Sequence, residues 1–408
     1  MGMNQPTMPA MTRPTVNAHW LFCVSCVALV ATSMSFAIRG DIMGELQHVF
    51  SLTKTQIGWI SGAAFWGFGL SMLFGGPLCD VLGMGTLLRL AAAGHIGGIV
   101  MTIVARDFTM LFVATVIIGI ANGLVEASIN PLIATLYKTD KIARLTALHS
   151  WFPGGIVIGG LLAFACTRLG LGWQAKMLLM LGPALAYTLM SVGRYFPATE
   201  RRAAALPFAA MFRELCKLRF LLIFACMWLT AATELGPGQW VSNIFNEVLD
   251  NGAKAGVLVL VWSNGIMYLM RQFAGNITHR LPPERLIAIT ALIAAAGLWL
   301  FGHASTPALA FAAAGLLALG TAFWWPTMLG MTAEKFPRGG ALALAVIGVA
   351  GSFSTAIAGP VMGWINQTHG SARVLPLWAA LPLIISGIFV LLILRDRVWG
   401  AYRPATLQ

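Results

Sequence analysis

The stretch IIGIANGLVEASINPLIATLY, residues 117–137, carries a carboxylate in the middle of a segment that is long and apolar enough to cross a bilayer. Glu126 lies between Asn122 and Asn130, each four residues away. A charged side chain at the bilayer centre costs about 2.5–3.5 kcal/mol on insertion scales. Glu126 therefore indicates either a polar contact that ties two helices together or a functional site inside the membrane.

The composition of the whole chain is that of a membrane protein. Of its 408 residues, 58% are hydrophobic and 10% are charged, whereas a soluble domain carries about 25% charged residues. Helices are expected throughout, because a backbone in lipid must satisfy its own hydrogen bonds. Twelve apolar runs reach roughly the 20 residues that span the hydrocarbon: 18–38, 56–78, 84–104, 108–137, 145–167, 174–194, 219–246, 254–277, 285–303, 306–333, 339–364 and 374–394.

The basic residues set the expected orientation. Most of the 26 lysines and arginines fall in intervals that are cytoplasmic if the N-terminus is cytoplasmic, which is the positive-inside pattern. We therefore expect a multi-pass monomer in a plasma membrane, a bacterial inner membrane, with both termini cytoplasmic. The formal net charge of +12 then reflects anchoring at the inner leaflet of the bilayer rather than nucleic-acid binding.

The longest polar interval between the runs, 196–217, divides them six plus six. We expect a disordered tail (1–17), a six-helix bundle (18–195), a cytoplasmic inter-domain loop (196–217), a second six-helix bundle (218–395) and a cytoplasmic tail (396–408). The two halves show a similar pattern. The fourth and tenth runs each contain a proline, Pro131 and Pro326, after a segment that contains glycine. The predicted fold is all-α, with 12 transmembrane helices in two pseudo-symmetric bundles, and such halves hold a binding site between them at mid-membrane in secondary transporters.

Three of the 14 acidic residues lie inside or at the end of apolar runs: Asp41, Glu126 and Glu234. Asp41 could be paired or hydrated in an outer vestibule, and Glu234 could satisfy backbone groups near Pro237. Glu126 is favoured as functional because Asn122, Glu126 and Asn130 drift only about 40° per step around a helix, and such a polar stripe must face the protein interior or a water-filled cavity. Burial penalises the charged form of a carboxyl group, so Glu126 can take up and release a proton.

Other polar and aromatic side chains complete a candidate substrate site. Amides and carboxylates bind hydroxyl groups, and indole rings cover the apolar face of a sugar, although aromatic residues in membrane helices are also common in packing and in interfacial belts. Arg271 is expected near the cytoplasmic end, extending its charge to water, and His95 is expected to be a core residue. Besides Asn122 and Asn130, the candidate substrate-binding residues are Arg39, His149, Trp151, Glu234, Gln239, Trp240, Asn264, Tyr268 and Trp325.

Two motifs carry a family resemblance. The segment GGPLCDVLG (75–83) resembles the loop signature that follows helix 2 in the major facilitator superfamily, which implies a gating role for Asp80 together with Arg89. The segment GLVEASINPL (123–132) resembles the helix-4 signature of the fucose:proton symporter family, and RGDIMGELQHVFSLT (39–53) resembles the helix-1 segment of that family. The resemblance implies proton-coupled sugar uptake by alternating access, with Asp41 and Glu126 as the proton-linked pair.

Alternatives stay open. Arg39 beside Asp41 departs from the family and allows an organic anion, such as a sugar acid, as the substrate; a drug exporter and a membrane sensor without transport are further alternatives. The sequence has no phosphate-binding P-loop, no G-x-S-x-G and no His/Cys/Asp cluster at metal-ligand spacing. We therefore expect a transporter rather than an enzyme, without cofactor or metal, driven by a proton gradient, whose partners are a small molecule and the lipid bilayer.

Overall fold

The computed structural model describes residues 16–205, 207–249, 255–273, 276–277, 280–369 and 371–399, and in these residues the regular secondary structure is helical throughout. A short 3-10 turn, Pro337–Gly339, joins two of the helices. The helices are α1 (Ala18–Val49), α2 (Lys54–Leu82), α3 (Met84–Ile103), α4 (Phe108–Leu136), α5 (Lys141–His149), α6 (Trp151–Arg168), α7 (Trp173–Ser191), α8 (Glu200–Ala203), α9 (Phe208–Leu215), α10 (Leu218–Leu249), α11 (Ala255–Gln272), α12 (Pro283–Gly302), α13 (Pro307–Thr321), α14 (Trp324–Lys335), α15 (Gly340–His369), α16 (Ser371–Trp378) and α17 (Ala380–Trp399).

The prediction of an all-α membrane protein is confirmed. Within the described ranges, ten helical segments are long and apolar enough to cross a membrane. Two of the twelve predicted spans, 174–194 and 254–277, correspond to α7 and α11, which are helical but are not among those ten. The count of twelve spans therefore stays a prediction, as do the orientation and the division into two six-helix halves at 196–217.

Two predicted spans are interrupted by prolines. The span 145–167 is formed by α5 and α6, with Ser150 between them, and the span 306–333 is formed by α13 and α14. Proline has no N–H, so it leaves the carbonyl four residues earlier without its helical donor. Pro153 has this effect on His149, and Pro326 has it on Ala322.

Glycines allow neighbouring helices to pack closely in both predicted halves. A Cβ atom added at Gly67 of α2 would lie 2.7 Å from the Val116 carbonyl oxygen of α4. In the second half, a Cβ atom at Gly297 of α12 would lie 2.5 Å from the Leu317 amide nitrogen of α13. Small residues let backbones approach within membrane bundles, where van der Waals contact replaces the hydrophobic effect as the driving force.

The two predicted halves contact each other through several helix pairs, and glycines mark the close approach in three of them. Gly76 of α2 packs against α15, where an added Cβ atom would lie 2.6 Å from the Ala345 Cβ atom. Gly330 of α14 packs in the same way against Ile142 of α5. The third pair is α6 with α11, in which Gly154 lies against the ring of Tyr268. These pairs surround the polar residues described next.

Candidate functional site

Glu126, Asn130 and His149 form one buried hydrogen-bonded group. The Asn130 Nδ2 donates to the Glu126 Oε2 over 2.8 Å, because the two residues are one turn apart on α4. The His149 Nε2 lies 2.9 Å from the Asn130 Oδ1 and 3.8 Å from the Glu126 Oε2. Since an amide oxygen only accepts, Nε2 is assigned as the protonated nitrogen of the imidazole. All three residues are at most 1% exposed.

Arg271 approaches this group from the other half of the molecule. Its Nη1 donates to the His149 main-chain carbonyl over 2.8 Å, and its Nη2 donates to the Glu234 Oε1 over 3.1 Å. Its Nε donates to the Ala322 carbonyl. Only 3% of Arg271 is exposed. The expectation that this side chain extends to water at a helix end is therefore wrong, because three acceptors inside the bundle hold the guanidinium.

Two of the predicted residues, Trp151 and Tyr268, meet at the same contact between the predicted halves. The rings of Trp151 on α6 and Tyr268 on α11 pack edge to face, with centroids 5.6 Å apart. Gln272 follows Arg271 and donates to the Ser150 hydroxyl over 2.9 Å. Asn264 uses its Nδ2 within its own helix, where it donates to the Leu260 carbonyl over 2.9 Å.

Asn122 belongs to a different network, inside the first half. Its Oδ1 lies 2.8 Å from the His95 Nε2, and its Nδ2 donates to the Ser35 hydroxyl over 2.9 Å. The other ring nitrogen of His95 lies 2.8 Å from the Tyr187 hydroxyl. The polar stripe of α4 therefore divides between two networks. His95 is buried, as expected for a core residue, and its two partners come from other helices, which spacing along the chain does not reveal.

Asp41 lies nearer the carboxyl-terminal end of α1 than the level of the Glu126 group. The Ser35–Asn122 contact fixes the register of α1 and α4, which run antiparallel. Asp41 is six residues from Ser35 in one direction and Glu126 is four residues from Asn122 in the other, so the two carboxylates are about 15 Å apart along the bundle at 1.5 Å per residue. The predicted proton-linked pair is thus not in direct contact.

The partner of Asp41 is Lys176 of α7. The Lys176 Nζ lies 2.7 Å from the Asp41 Oδ2 and 2.5 Å from the Glu45 Oε1. The Lys176 side chain is 2% exposed, and two carboxylates share its one ammonium group. Neither Lys176 nor Glu45 was identified from the sequence.

Arg39 points into a small cavity between α1, α2, α3, α4 and α7, away from Glu126. Its guanidinium carbon lies 5.1 Å from the centre of the Phe36 ring, and its Nη1 is buried without a hydrogen-bond partner in the described structure.

In the second half, the Trp325 Nε1 and the Glu234 Oε2 are likewise buried and unpartnered among the described atoms. The side chains of the predicted residues Gln239 and Trp240 lie outside the described residues.

Asp80 of the predicted gating loop pairs with the segment between the halves. Its carboxylate accepts from the Arg201 Nε over 2.8 Å and from the Thr199 hydroxyl. Arg89, the partner suggested by the motif, instead lies 3.5 Å from the Thr86 hydroxyl of its own helix.

Within the described ranges, no group of three or more His, Cys, Asp or Glu residues is placed to hold a metal ion.

Ten apolar helical segments in the described residues, with buried charges between the predicted halves, are typical of a membrane transporter. The sequence profile of the Major Facilitator Superfamily matches residues 21–307, so the chain belongs to that superfamily. A gallate transporter of Pseudomonas putida is 28% identical over 211 residues. That match covers 50% of this chain and 46% of the relative, so the chain matches about half of that relative's length.

Solved structures share the fold over nearly the whole chain. The E. coli fucose:proton symporter has a TM-score of 0.74 at 15% identity and covers 90% of this chain and 98% of its own. The proton:xylose symporter XylE, bound to 6-bromo-6-deoxy-D-glucose, has a TM-score of 0.73 at 16% identity and coverages of 95% and 96%. The human organic anion transporter MFSD10 has a TM-score of 0.77 at 13% identity and coverages of 92% and 100%. At these identities the likeness establishes the fold alone.

Proposed function

We propose that this transporter couples the uptake of a neutral polyhydroxy compound, such as a sugar, to the uptake of protons through Glu126. The observation that carries the proposal is which charged groups are paired at the contact between the predicted halves. Arg271 is already neutralised by Glu234, whereas Glu126 is bonded to the neutral Asn130 amide and faces His149. Glu126 is therefore the carboxylate of this group without a permanent cation, and a proton is the charge that would neutralise it.

The same pairing favours a neutral substrate. With Glu126 protonated and His149 neutral, the group formed by Glu126, His149, Glu234 and Arg271 has no net charge. A sugar would add none, whereas an anion would add an unbalanced negative charge in a region of low dielectric, which is costly. The polar and aromatic surroundings, including the Trp151–Tyr268 pair, supply hydrogen bonds and an apolar face for such a ligand.

Alternating access of the two halves is the proposed mechanism, with the proton gradient as the only energy source and without a cofactor. Protonation of Glu126 would accompany substrate binding on one side, and release of the proton on the other side would favour substrate release. Asp41 remains a second proposed proton site. It would act separately from Glu126, because it is paired with Lys176 about 15 Å away along the bundle.

The experiment compares Glu126→Gln with the unmodified protein in proteoliposomes. A screen of sugars, sugar acids and amino sugars by thermal shift first selects a ligand. Glu126→Gln should abolish proton-driven accumulation while exchange of labelled for unlabelled substrate continues, because glutamine mimics the protonated form. Thr167→Ala is the control, since its hydroxyl bonds within its own helix, to the Ala163 carbonyl, and it is not among the candidate site residues. Accumulation that survives in Glu126→Gln would contradict the proposal.

An organic anion is the second candidate substrate. Two observations favour it: the partial match to a gallate transporter, since gallate is a carboxylate that carries phenolic hydroxyls, and the unpartnered Arg39 Nη1 beside the Phe36 ring. The charge carried per substrate separates the candidates. A neutral substrate moving with one proton produces an inward positive current, whereas a monovalent anion moving with one proton produces none.

A further inference from the structure

We propose that Arg271 is a positioning residue for Glu126, through which contact between the two halves is transmitted to the proton site. The inference rests on the proposed role of Glu126 and goes beyond it. Its basis is a pair of main-chain carbonyls, His149 and Ala322, that prolines leave without helical donors. Arg271 supplies both of the missing hydrogen bonds.

The first carbonyl belongs to His149, at the end of α5. Pro153 stands four residues later and has no N–H to donate, so the His149 carbonyl needs a donor from outside the helix. The Arg271 Nη1 provides it over 2.8 Å, from a helix of the other half. A cation at the carboxyl-terminal end of α5 is also favoured by the dipole of that helix.

The second carbonyl belongs to Ala322, at the end of α13, and Pro326 removes its donor in the same way. Arg271 lies on the second long helix of its half and satisfies this carbonyl through Nε. The first half has a counterpart, in which the Cys79 thiol of α2 lies 3.1 Å from the Ala127 carbonyl that Pro131 leaves free. In the first half, Cys79 contacts only this carbonyl. The longer Arg271 contacts the Ala322 carbonyl and also reaches His149 and Glu234.

His149 connects the contact between the halves to the proton site, because it takes part in both. The main chain of His149 binds Arg271, and its side chain binds Asn130 beside Glu126. Separation of the halves at this level would break the first contact and release the α5–α6 junction. The imidazole would then no longer be held against the Asn130–Glu126 pair, so closure of the halves sets the surroundings of the carboxyl group.

The ionisable neighbours of Glu126 are on the elements packed around α4. A substitution at one of these groups can change the protonation of Glu126 either by moving its neighbours or by changing the local charge. The variants must separate these two effects. His149 on α5 lies 3.8 Å from the Glu126 Oε2. Other buried ionisable groups on the elements that contact α4 include Cys26 on α1, Cys79 and Asp80 on α2, His95 on α3 and Lys141 on α5. Arg271 on α11 and Glu234 on α10 lie across the contact between the predicted halves.

The test measures the protonation of Glu126 by infrared spectroscopy as a function of pH, in purified full-length protein. The carboxyl band of Glu126 is the one that disappears in Glu126→Gln. Glu234→Gln serves as the reference, because it keeps the Arg271 bond to His149. Removing Arg271 in that background avoids leaving a buried carboxylate without its cation.

Two variants are then compared with the reference. Arg271→Gln/Glu234→Gln removes the charge and the contacts, and Arg271→Lys/Glu234→Gln keeps the charge but loses the planar fork that reaches several acceptors at once. We expect both to move the midpoint of the Glu126 band by about one pH unit or more. Gln272→Ala, which loses only a bond to the Ser150 hydroxyl, should leave the midpoint unchanged.

The outcomes separate this inference from the proposed function. A band that never titrates in the unmodified protein would refute the proton role of Glu126. A titrating band that stays at the reference midpoint in both Arg271 variants would refute the positioning role alone. A midpoint that moves with glutamine but not with lysine would reduce Arg271 to a nearby charge and would also overturn the inference.

Discussion

The Nε atom of Arg201 lies 2.8 Å from the Oδ2 atom of Asp80, and their side chains are 8% and 0% exposed. This ion pair joins the end of α2 to α8, in the segment between the predicted halves. Neighbouring Glu200 pairs with Lys141 of α5 over 2.8 Å, and the Lys141 Nζ also lies 3.4 Å from the Ala333 carbonyl of α14. The segment Thr199–Ala203 thus ties α2 and α5 together where both contact the second half.

We expect Asp80→Asn to lower the free energy of unfolding by about 3–5 kcal/mol, because it replaces the buried carboxylate that accepts from Arg201 and Thr199 with a neutral amide. Unfolding in detergent micelles measures the effect. The double variant Asp80→Asn/Arg201→Gln should lose less stability than the sum of its single changes. Arg89→Gln is the matched control and should change stability by less than about 0.5 kcal/mol. Equal losses in Asp80→Asn and Arg89→Gln would contradict the assignment of this pair.

The network of His95, Asn122 and Tyr187 predicts a loss of stability without a loss of coupling. Tyr187→Phe leaves the buried His95 Nδ1 without its partner at 2.8 Å, which should cost about 1–3 kcal/mol. Tyr137→Phe is the control, since that ring packs on Phe22 and Arg144. The ratio of proton-driven uptake to substrate exchange should stay at the unmodified value. A changed ratio would place this network in the transport mechanism.

Lys176 should tolerate the loss of either carboxylate partner but not of both. Asp41→Asn leaves Glu45, and Glu45→Gln leaves Asp41, so each single change should reduce stability only modestly. The double variant leaves the ammonium group buried and unpaired, and its free energy of unfolding should fall by about 3 kcal/mol or more. Thermal unfolding of the three proteins tests this non-additivity. Additive losses would show that Lys176 is not shared between the two carboxylates.

Pro153 and Pro326 offer a matched pair of substitutions. Pro153→Ala restores an N–H that can bond to the His149 carbonyl within a continuous helix, in competition with Arg271. We expect it to move the midpoint of the Glu126 infrared band as the Arg271 variants do. Pro326→Ala restores only the bond to Ala322, within the second half, and should leave the midpoint in place. The reverse ranking would mean that the His149 carbonyl is not the connection to Glu126.

Several features of the site follow from the sequence alone, because they depend on spacing within one helix. Glu126 and Asn130 are four residues apart, so a helix places their side chains in contact. The hydrogen bond between them shows this contact. Apolar runs of bilayer length determine an all-helical fold, since a backbone in lipid has no other partners. The prolines at 153 and 326 are also visible in the sequence, and each implies a carbonyl that needs an outside donor.

The tertiary structure decided which side chains meet between helices. Arg271 and His149 are 122 residues apart, and Asp80 and Arg201 are 121 apart. The period of a helix tells which face a residue occupies but not which neighbouring helix covers that face. For this reason Asn122 bonds to His95 rather than joining Glu126, and Asp41 pairs with Lys176. The sequence by itself determined the helices, the apolar spans and the buried carboxylate, whereas only packing determined the partners of that carboxylate.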